Sequence, residues 1–108
     1  MQSSTRQVGR VTVVALSGRA ETEADFTQPL GALIAGGHRW IVLDCRELEY
    51  LNSAALRSLV ALTKQLKSQA GVLALAALSE AVCDLFDISG ISAMVSVFPS
   101  VDAAVDAM

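Results

Sequence analysis

The sequence has few of the residues on which metal and catalytic sites depend. It contains one histidine, His38, in a Gly-Gly-His-Arg turn, and two cysteines, Cys45 and Cys83, in separate apolar-looking segments. These three residues lack the number and spacing of metal ligands, so we predict no metal site and two reduced, mostly buried thiols. Motifs typical of serine hydrolases, nucleotide-phosphate loops and dinucleotide binding are also missing. An enzyme is therefore the least favoured class, and no cofactor is expected.

Long apolar runs and clustered positive charge are also missing. The longest apolar stretches, 40–43 and 72–78, are far shorter than the roughly 20 residues that cross a bilayer. The polar opening at residues 1–7 is unlike a secretory signal. The eight lysines and arginines are scattered along a chain of net charge −3, which argues against nucleic acid as a direct partner. We expect a cytoplasmic protein without membrane insertion.

The apolar content is sufficient for one folded unit. The chain has 108 residues, of which 53% are hydrophobic and 18% charged, and this length and composition favour a single hydrophobic core over two. No repeat or low-complexity linker divides the sequence. We predict one domain over residues 1–108, with residues 1–6 as a loose N-terminal tail.

Short β-branched runs alternate with amphipathic segments. Strands are predicted at residues 11–16, 40–44, 72–77 and 95–98. Val8, before Gly9, indicates a short edge strand that forms a hairpin with the first of these. Four helices are predicted, each beginning beside a residue that can cap it: Thr22, Ser53, Ser79 and Ser100. The alternation predicts an α/β fold with mostly parallel strands.

The predicted boundaries come from local breaks in the pattern. Ser17 and Gly18 should end the first long strand, and Asp44 should stand at the lip of the sheet, followed by a loop over 45–52. Pro29 lies inside the first helical pattern, where it can break or tilt the first turn.

Apolar residues at helical spacing predict the buried faces. In the first helix they are Phe26, Leu30, Leu33 and Ile34, before Gly36 and Gly37. In the second they are Leu56, Leu59, Val60, Thr63 and Leu66, before Gly71. In the third they are Val82, Leu85 and Phe86.

The segment Leu51-Asn52-Ser53-Ala54-Ala55-Leu56 places a hydroxyl at a helix N-terminus. Free N–H groups and the positive end of the helix dipole make this a favourable place for a phosphate. A serine at such a position also commonly caps its helix and does nothing more. On the pattern alone, capping is the more frequent role.

Taken together, several segments resemble the STAS family. They are VTVVALSGRAE, WIVLDCREL, YLNSAALRSLV and VSVFPSVDAAV, and the similarity spans nearly all of residues 8 to 108. The resemblance implies an α/β fold with a four- or five-stranded mixed β-sheet and about four α-helices packed mainly on one face. It also implies a binding module of the anti-sigma factor antagonist type.

In that family the loop-to-helix segment typically reads Asp-Ser-Ser/Thr-Gly-Leu. The first hydroxyl is phosphorylated by an anti-sigma factor with serine kinase activity, which is also the binding partner. The resemblance therefore implies phosphorylation at Ser53, and Asn52, Ala54 and Ala55 replace the usual Asp, Ser/Thr and Gly. The implied partner-binding residues are Asp44, Asn52, Ser53, Ala54 and Arg57.

The sequence also leaves two other roles of STAS domains open. One is an accessory subunit or domain of a lipid or anion transport system, and the other is a nucleotide-sensing domain, although no phosphate-binding glycine loop supports it. The sequence is compatible with a monomer or a weak dimer.

Overall fold

The computed structural model describes residues 1–89 and 95–108, and of residues 85–89 it describes the backbone only. Its elements, in chain order, are β1 (Gln2–Val8), β2 (Val11–Ala20), α1 (Ala24–Ala35), β3 (Trp40–Leu51), α2 (Ser53–Ser68), β4 (Val72–Ala76), α3 (Glu80–Ser89), β5 (Ser96–Phe98) and α4 (Val101–Asp106).

The five strands form one mixed sheet in the order β1-β2-β3-β4-β5. β1 and β2 are antiparallel and joined by the two-residue turn Gly9–Arg10, and the remaining neighbours are parallel. Parallel neighbours joined through a helix nearly always cross over with the right hand. When the strands also follow in sequence order, this rule places the connecting helices α1, α2 and α3 on the same face.

The main core lies between that face and the three helices. Its fully buried side chains include Phe26 of α1, Leu59 of α2 and Leu43 of β3. The short helix α4 covers part of the opposite face, where Ala104 packs with Val11, Val13, Val42 and Ala76. The prediction of a four- or five-stranded mixed sheet with helices mainly on one face is confirmed, and the number of strands is five.

The first two strands are longer than predicted. β1 begins at Gln2, so most of the segment expected to be a loose tail is paired with β2. All seven β1 residues are exposed, and the strand therefore lacks the apolar alternation by which strands are recognised. β2 continues past Ser17 to Ala20 and stays paired with β3. Gly18 adopts a φ of 91° next to a shift in the β2–β3 register, so the strand accommodates the glycine as an irregularity and does not end there.

β3 also continues past its predicted end at Asp44. It runs to Leu51 beside β2, so all of the predicted loop except Asn52 belongs to the sheet. The register shifts between the pairs Ala15–Asp44 and Ser17–Glu47, so β3 has one extra residue there. This bulge breaks the two-residue period of burial on which the prediction depended.

The predicted helix faces are largely confirmed. Phe26, Leu30 and Ile34 are buried in α1, which stays continuous through Pro29. The buried face of α2 is turned slightly from the predicted one, because Ala55, Ser58 and Leu62 are buried while Leu56 and Val60 are only half-buried. Its buried residues are Ala55, Ser58, Leu59, Leu62, Thr63 and Leu66. Val82 is buried in α3; the predicted positions Leu85 and Phe86 lie outside the described side chains.

The C-terminus of α2 is closed by two nested hydrogen bonds. The Gly71 N–H donates to the Leu66 carbonyl at 2.7 Å, and the Ala70 N–H donates to the Lys67 carbonyl at 3.1 Å. This Schellman arrangement needs a left-handed residue, which is Ala70 with a φ of 62°. Gly71 follows it because a Cβ atom there would lie 2.6 Å from the Arg39 carbonyl oxygen.

Candidate functional site

Asn52 caps helix α2. Its Oδ1 accepts a 3.0 Å hydrogen bond from the Ala55 N–H, and its backbone carbonyl accepts one of 2.9 Å from the Leu56 N–H. The prediction that Ser53 caps the helix is wrong, since Ser53 is the first residue inside it. An asparagine satisfies a free N–H of the first helical turn as well as a serine does. Because Asn52 forms the cap, Ser53 does not need to.

The same Asn52 side chain fastens the helix to the turn after β2. Its Nδ2 donates a 2.7 Å hydrogen bond to the Glu21 carbonyl. The backbone N–H of Asn52 donates to the Ala20 carbonyl at 3.0 Å. The opposite amide orientation would set a donor against the Ala55 N–H and an acceptor against the Glu21 carbonyl, so the two bonds together fix the side chain.

Asp25 binds the backbone N–H groups of the turn whose Glu21 carbonyl is bound by Asn52. Its Oδ2 accepts hydrogen bonds from the Glu21 N–H at 2.8 Å and the Thr22 N–H at 3.1 Å. These two bonds hold the pKa of the Asp25 carboxyl below its usual value, and the bond from Glu21 has the larger effect. The prediction that Thr22 caps α1 is wrong, because the N-cap is Glu23 and it forms no side-chain cap bond. The bond from the Thr22 N–H to Asp25 is the one half of a capping box that forms. The turn beside Ser53 is thus held by both Asp25 and Asn52.

Ser53 lies at the exposed start of α2. Its side chain is exposed, and its Oγ forms no hydrogen bond with the described part of the chain. The first turn of α2 contains no acidic residue, so negative charge on Ser53 would meet no carboxylate within that turn and would face the positive helix end. The arrangement suits the hydroxyl for modification, because no existing contact must be broken.

Exposed Arg19 and Glu21 and half-buried Tyr50 form a group where β2 and β3 end side by side. Arg19 Nε lies 2.9 Å from Glu21 Oε1, and the guanidinium carbon lies 4.4 Å from the centre of the Tyr50 ring. Arg19 and Tyr50 are partners in the strand register. This group was not predicted, because the predicted β3 ends six residues before Tyr50 and the Arg19–Glu21 spacing alone gives no signal.

Of the other predicted site residues, Ala54 and Arg57 lie near Ser53. Ala54 is half-buried and Arg57 is exposed, one turn further along α2. Arg57 lines an open groove between α1 and α2. The groove residues are Glu23, Thr27, Arg57, Ser58, Ala61, Leu62 and Gln65.

Asp44 lies apart from this group. It is buried in the middle of β3, lining a pocket on the sheet face of Val13, and Arg46 Nη2 binds its Oδ2 at 3.0 Å. The Arg46 N–H, at the bulge, donates to Asp44 Oδ1 at 3.2 Å. Burial acts to raise the pKa of Asp44, but these bonds and the charges of Arg46 and Arg6 lower it further than burial raises it. The seven-residue step from Asp44 to Leu51 spans roughly 20 Å, so Asp44 does not adjoin Asn52.

The described residues contain no group of three or more potential metal-binding side chains. Among their helices, none has the length and apolar character needed to cross a membrane.

Comparison with known proteins decides the family. The STAS domain model matches residues 2–104. The chain belongs to the STAS domain family. Over 70 residues this STAS domain is 40% identical to BtrV of Bordetella bronchiseptica, which is named as an anti-sigma factor antagonist. The match covers 65% of this chain and 58% of BtrV, so the chain spans less than two thirds of that relative.

Solved structures show the same fold. An anti-sigma factor antagonist from Mycobacterium paratuberculosis superposes with a TM-score of 0.87 at 24% identity, covering 98% of this STAS domain and 92% of that chain. The Bacillus protein SpoIIAA gives 0.75 at 16% identity in its unphosphorylated form, covering 98% and 96% of the two chains. Its phosphorylated form gives 0.74 at 18% identity, covering 98% of each. At these identities the likeness establishes the fold alone.

Proposed function

We propose that this protein is an anti-sigma factor antagonist whose binding is switched by phosphorylation of Ser53. The observation on which the proposal rests is the exposed Ser53 hydroxyl, left without a hydrogen bond within the described residues because Asn52 caps α2. The names of BtrV and of the solved relatives support the regulatory class. The partner would be an anti-sigma factor with serine kinase activity, and the switch would operate in the cytoplasm.

The proposed binding surface is formed by Asn52, Ser53, Ala54 and Arg57. It lies beside the turn held by Asp25, so the partner would meet a surface that is ordered before binding. We assign Asp44 a structural role in holding Arg46, because it lies far from Asn52 along β3.

The proposed chemical step is phosphoryl transfer by the partner. The γ-phosphoryl group of ATP passes to Ser53 Oγ, the hydroxyl loses its proton, and ADP leaves. A phosphoserine has about two negative charges at neutral pH. Charge of that size in a contact surface disfavours binding by repulsion and by the cost of desolvation, so phosphorylation would release the partner.

Peptide mass spectrometry on protein from native cells tests the acceptor. We expect one phosphate, mapped to Ser53 and lost in Ser53→Ala. Ser68→Ala, at an exposed serine of the same helix, is the matched control and should keep the phosphate. An unmodified Ser53 in both growing and stressed cells would contradict the switch.

Affinity measurements with the anti-sigma factor test the partner. We expect enzymatic phosphorylation to lower the affinity at least about tenfold, which corresponds to about 1.4 kcal/mol. The Ser53→Ala protein, treated with the same kinase, should keep its affinity. Equal binding by both phosphorylated and unphosphorylated protein would contradict the proposal, and stable copurification with transport subunits would support the transport role instead.

A further inference from the structure

Arg57 lies one helical turn after Ser53 on the same face of α2. The helix is continuous from Ser53 to Ser68, and residues four apart on a helix have Cβ atoms about 5–6 Å from each other. Both side chains are exposed. A group attached to Ser53 Oγ would extend into the space that the Arg57 side chain can reach.

Arg57 has no acidic partner in the described part of the chain. The ion pairs Met1–Asp25, Arg19–Glu21 and Asp44–Arg46 leave Arg57 out. The helix positions three and four residues away are Ser53, Ala54, Val60 and Ala61, none of which is acidic. Glu23, which precedes α1, lines the same groove as Arg57 but forms no ion pair with it.

We propose that Arg57 binds the phosphate on Ser53, and that this intrachain pair withdraws Arg57 from the partner. The inference rests on the proposed function, which supplies the phosphate. A guanidinium group binds phosphate through two parallel N–H···O bonds. The order along the helix is also favourable, since an anion four residues before a cation is the better orientation.

The pair gives phosphorylation two effects on one surface. In the unmodified protein Arg57 is free to contact acidic groups of the partner. After modification the phosphate adds negative charge and also occupies the arginine. Glu23 competes poorly for Arg57, because it has one negative charge and lies outside α2, whereas the phosphate has about two and lies one turn away.

Phosphorus NMR on full-length protein with genetically encoded phosphoserine at position 53 tests the pair without any kinase. The second pKa of a phosphoserine is about 6, and we expect it to be lower here by about 0.3 units or more. Arg57→Gln should raise this pKa by removing the part of the shift that the arginine causes, and should leave the part caused by the positive end of α2. Arg57→Lys should retain some of the arginine's part. Lys64→Gln, an exposed cation on the same helix, should leave the titration unchanged.

A phosphate that titrates at the same pH in the parent protein and in Arg57→Gln would overturn the proposal. Its failure is distinct from failure of the proposed function. A shift that depends on Arg57, in a protein whose Ser53 no kinase modifies, would support the pair and contradict the switch. Kinase modification of Ser53 together with a titration independent of Arg57 would do the reverse.

Discussion

The Asn52 side-chain amide and the Glu21 backbone carbonyl are joined by a hydrogen bond of 2.7 Å. An aspartate, typical of the family at this position, could cap α2 but has no N–H to donate. The asparagine therefore makes a contact with the turn after β2 that the acid could not make. This amide contributes to the order of the proposed binding surface, since it adds a side-chain link between the turn after β2 and the start of α2 to the backbone bond from Asn52 to Ala20.

Substitutions at Asn52 and Ser53 should separate capping from modification. We expect Asn52→Ala to lower the free energy of unfolding by about 1–2 kcal/mol, because both side-chain bonds are lost. Asn52→Asp should cost less, since it keeps the cap. Ser53→Ala should change stability by less than about 0.5 kcal/mol. Urea unfolding measures all three, and an equal loss in Ser53→Ala and Asn52→Ala would show that the serine contributes to the cap.

Opposite effects are expected at Ala70 and Gly71. A Cβ on Gly71 would lie 2.6 Å from the Arg39 carbonyl oxygen and 2.9 Å from Leu66 Cδ2, so Gly71→Ala should cost about 1–3 kcal/mol. Ala70→Gly relieves a left-handed alanine and should stabilise the protein by up to about 1 kcal/mol. Thermal unfolding of the two variants is the measurement, and a loss of stability in Ala70→Gly would contradict this account.

Acid should weaken the fold partly through Asp25. Hydrogen bonds from Glu21 and Thr22 lower its pKa in the folded state, so the folded protein binds this proton less readily than the unfolded chain. The resulting stability is fully present above the unfolded pKa of about 3.9 and is lost as the pH falls through the lower folded pKa. Wild type should therefore exceed Asp25→Asn in stability at pH 7, with the difference shrinking below about pH 4. A difference that does not change with pH would contradict this role.

The two cysteines should react with thiol reagents at different rates. Burial, followed by the negative charge of Asp44, raises the pKa of the Cys45 thiol to about 12, and only the thiolate is nucleophilic. Cys83 is partly exposed. A chromogenic disulfide at pH 8 should label Cys83 first and Cys45 only after unfolding. Rapid labelling of native Cys83→Ser protein would show that Cys45 is accessible.

The order of elements could be predicted because its signals are local. The serines before α3 and α4 cap them as expected, through bonds from the Val82 and Ala103 N–H groups. The lengths of β1 and β3 could not be predicted in this way. β1 is exposed on both faces, and the bulge in β3 shifts its buried positions out of the two-residue period.

The cap of α2 shows a second limit of sequence reasoning. Asn52 and Ser53 are adjacent, and both residue types cap helices well. What selects Asn52 is the Glu21 carbonyl, which is brought close by the β2–β3 pairing of Ala20 with Leu51. That selection depends on contacts across 31 residues of chain, so the sequence pattern placed the start of α2 to within one residue but assigned the wrong cap.

The strand order has a consequence for how the chain can fold during synthesis. Each strand pairs with the strand that precedes it in the sequence, so every new strand emerging from the ribosome finds its neighbour already made. Contacts between segments near in sequence close small loops and favour rapid folding. The sheet can therefore grow from its N-terminal hairpin one strand at a time, because each strand pairs next with the strand that follows it in the sequence.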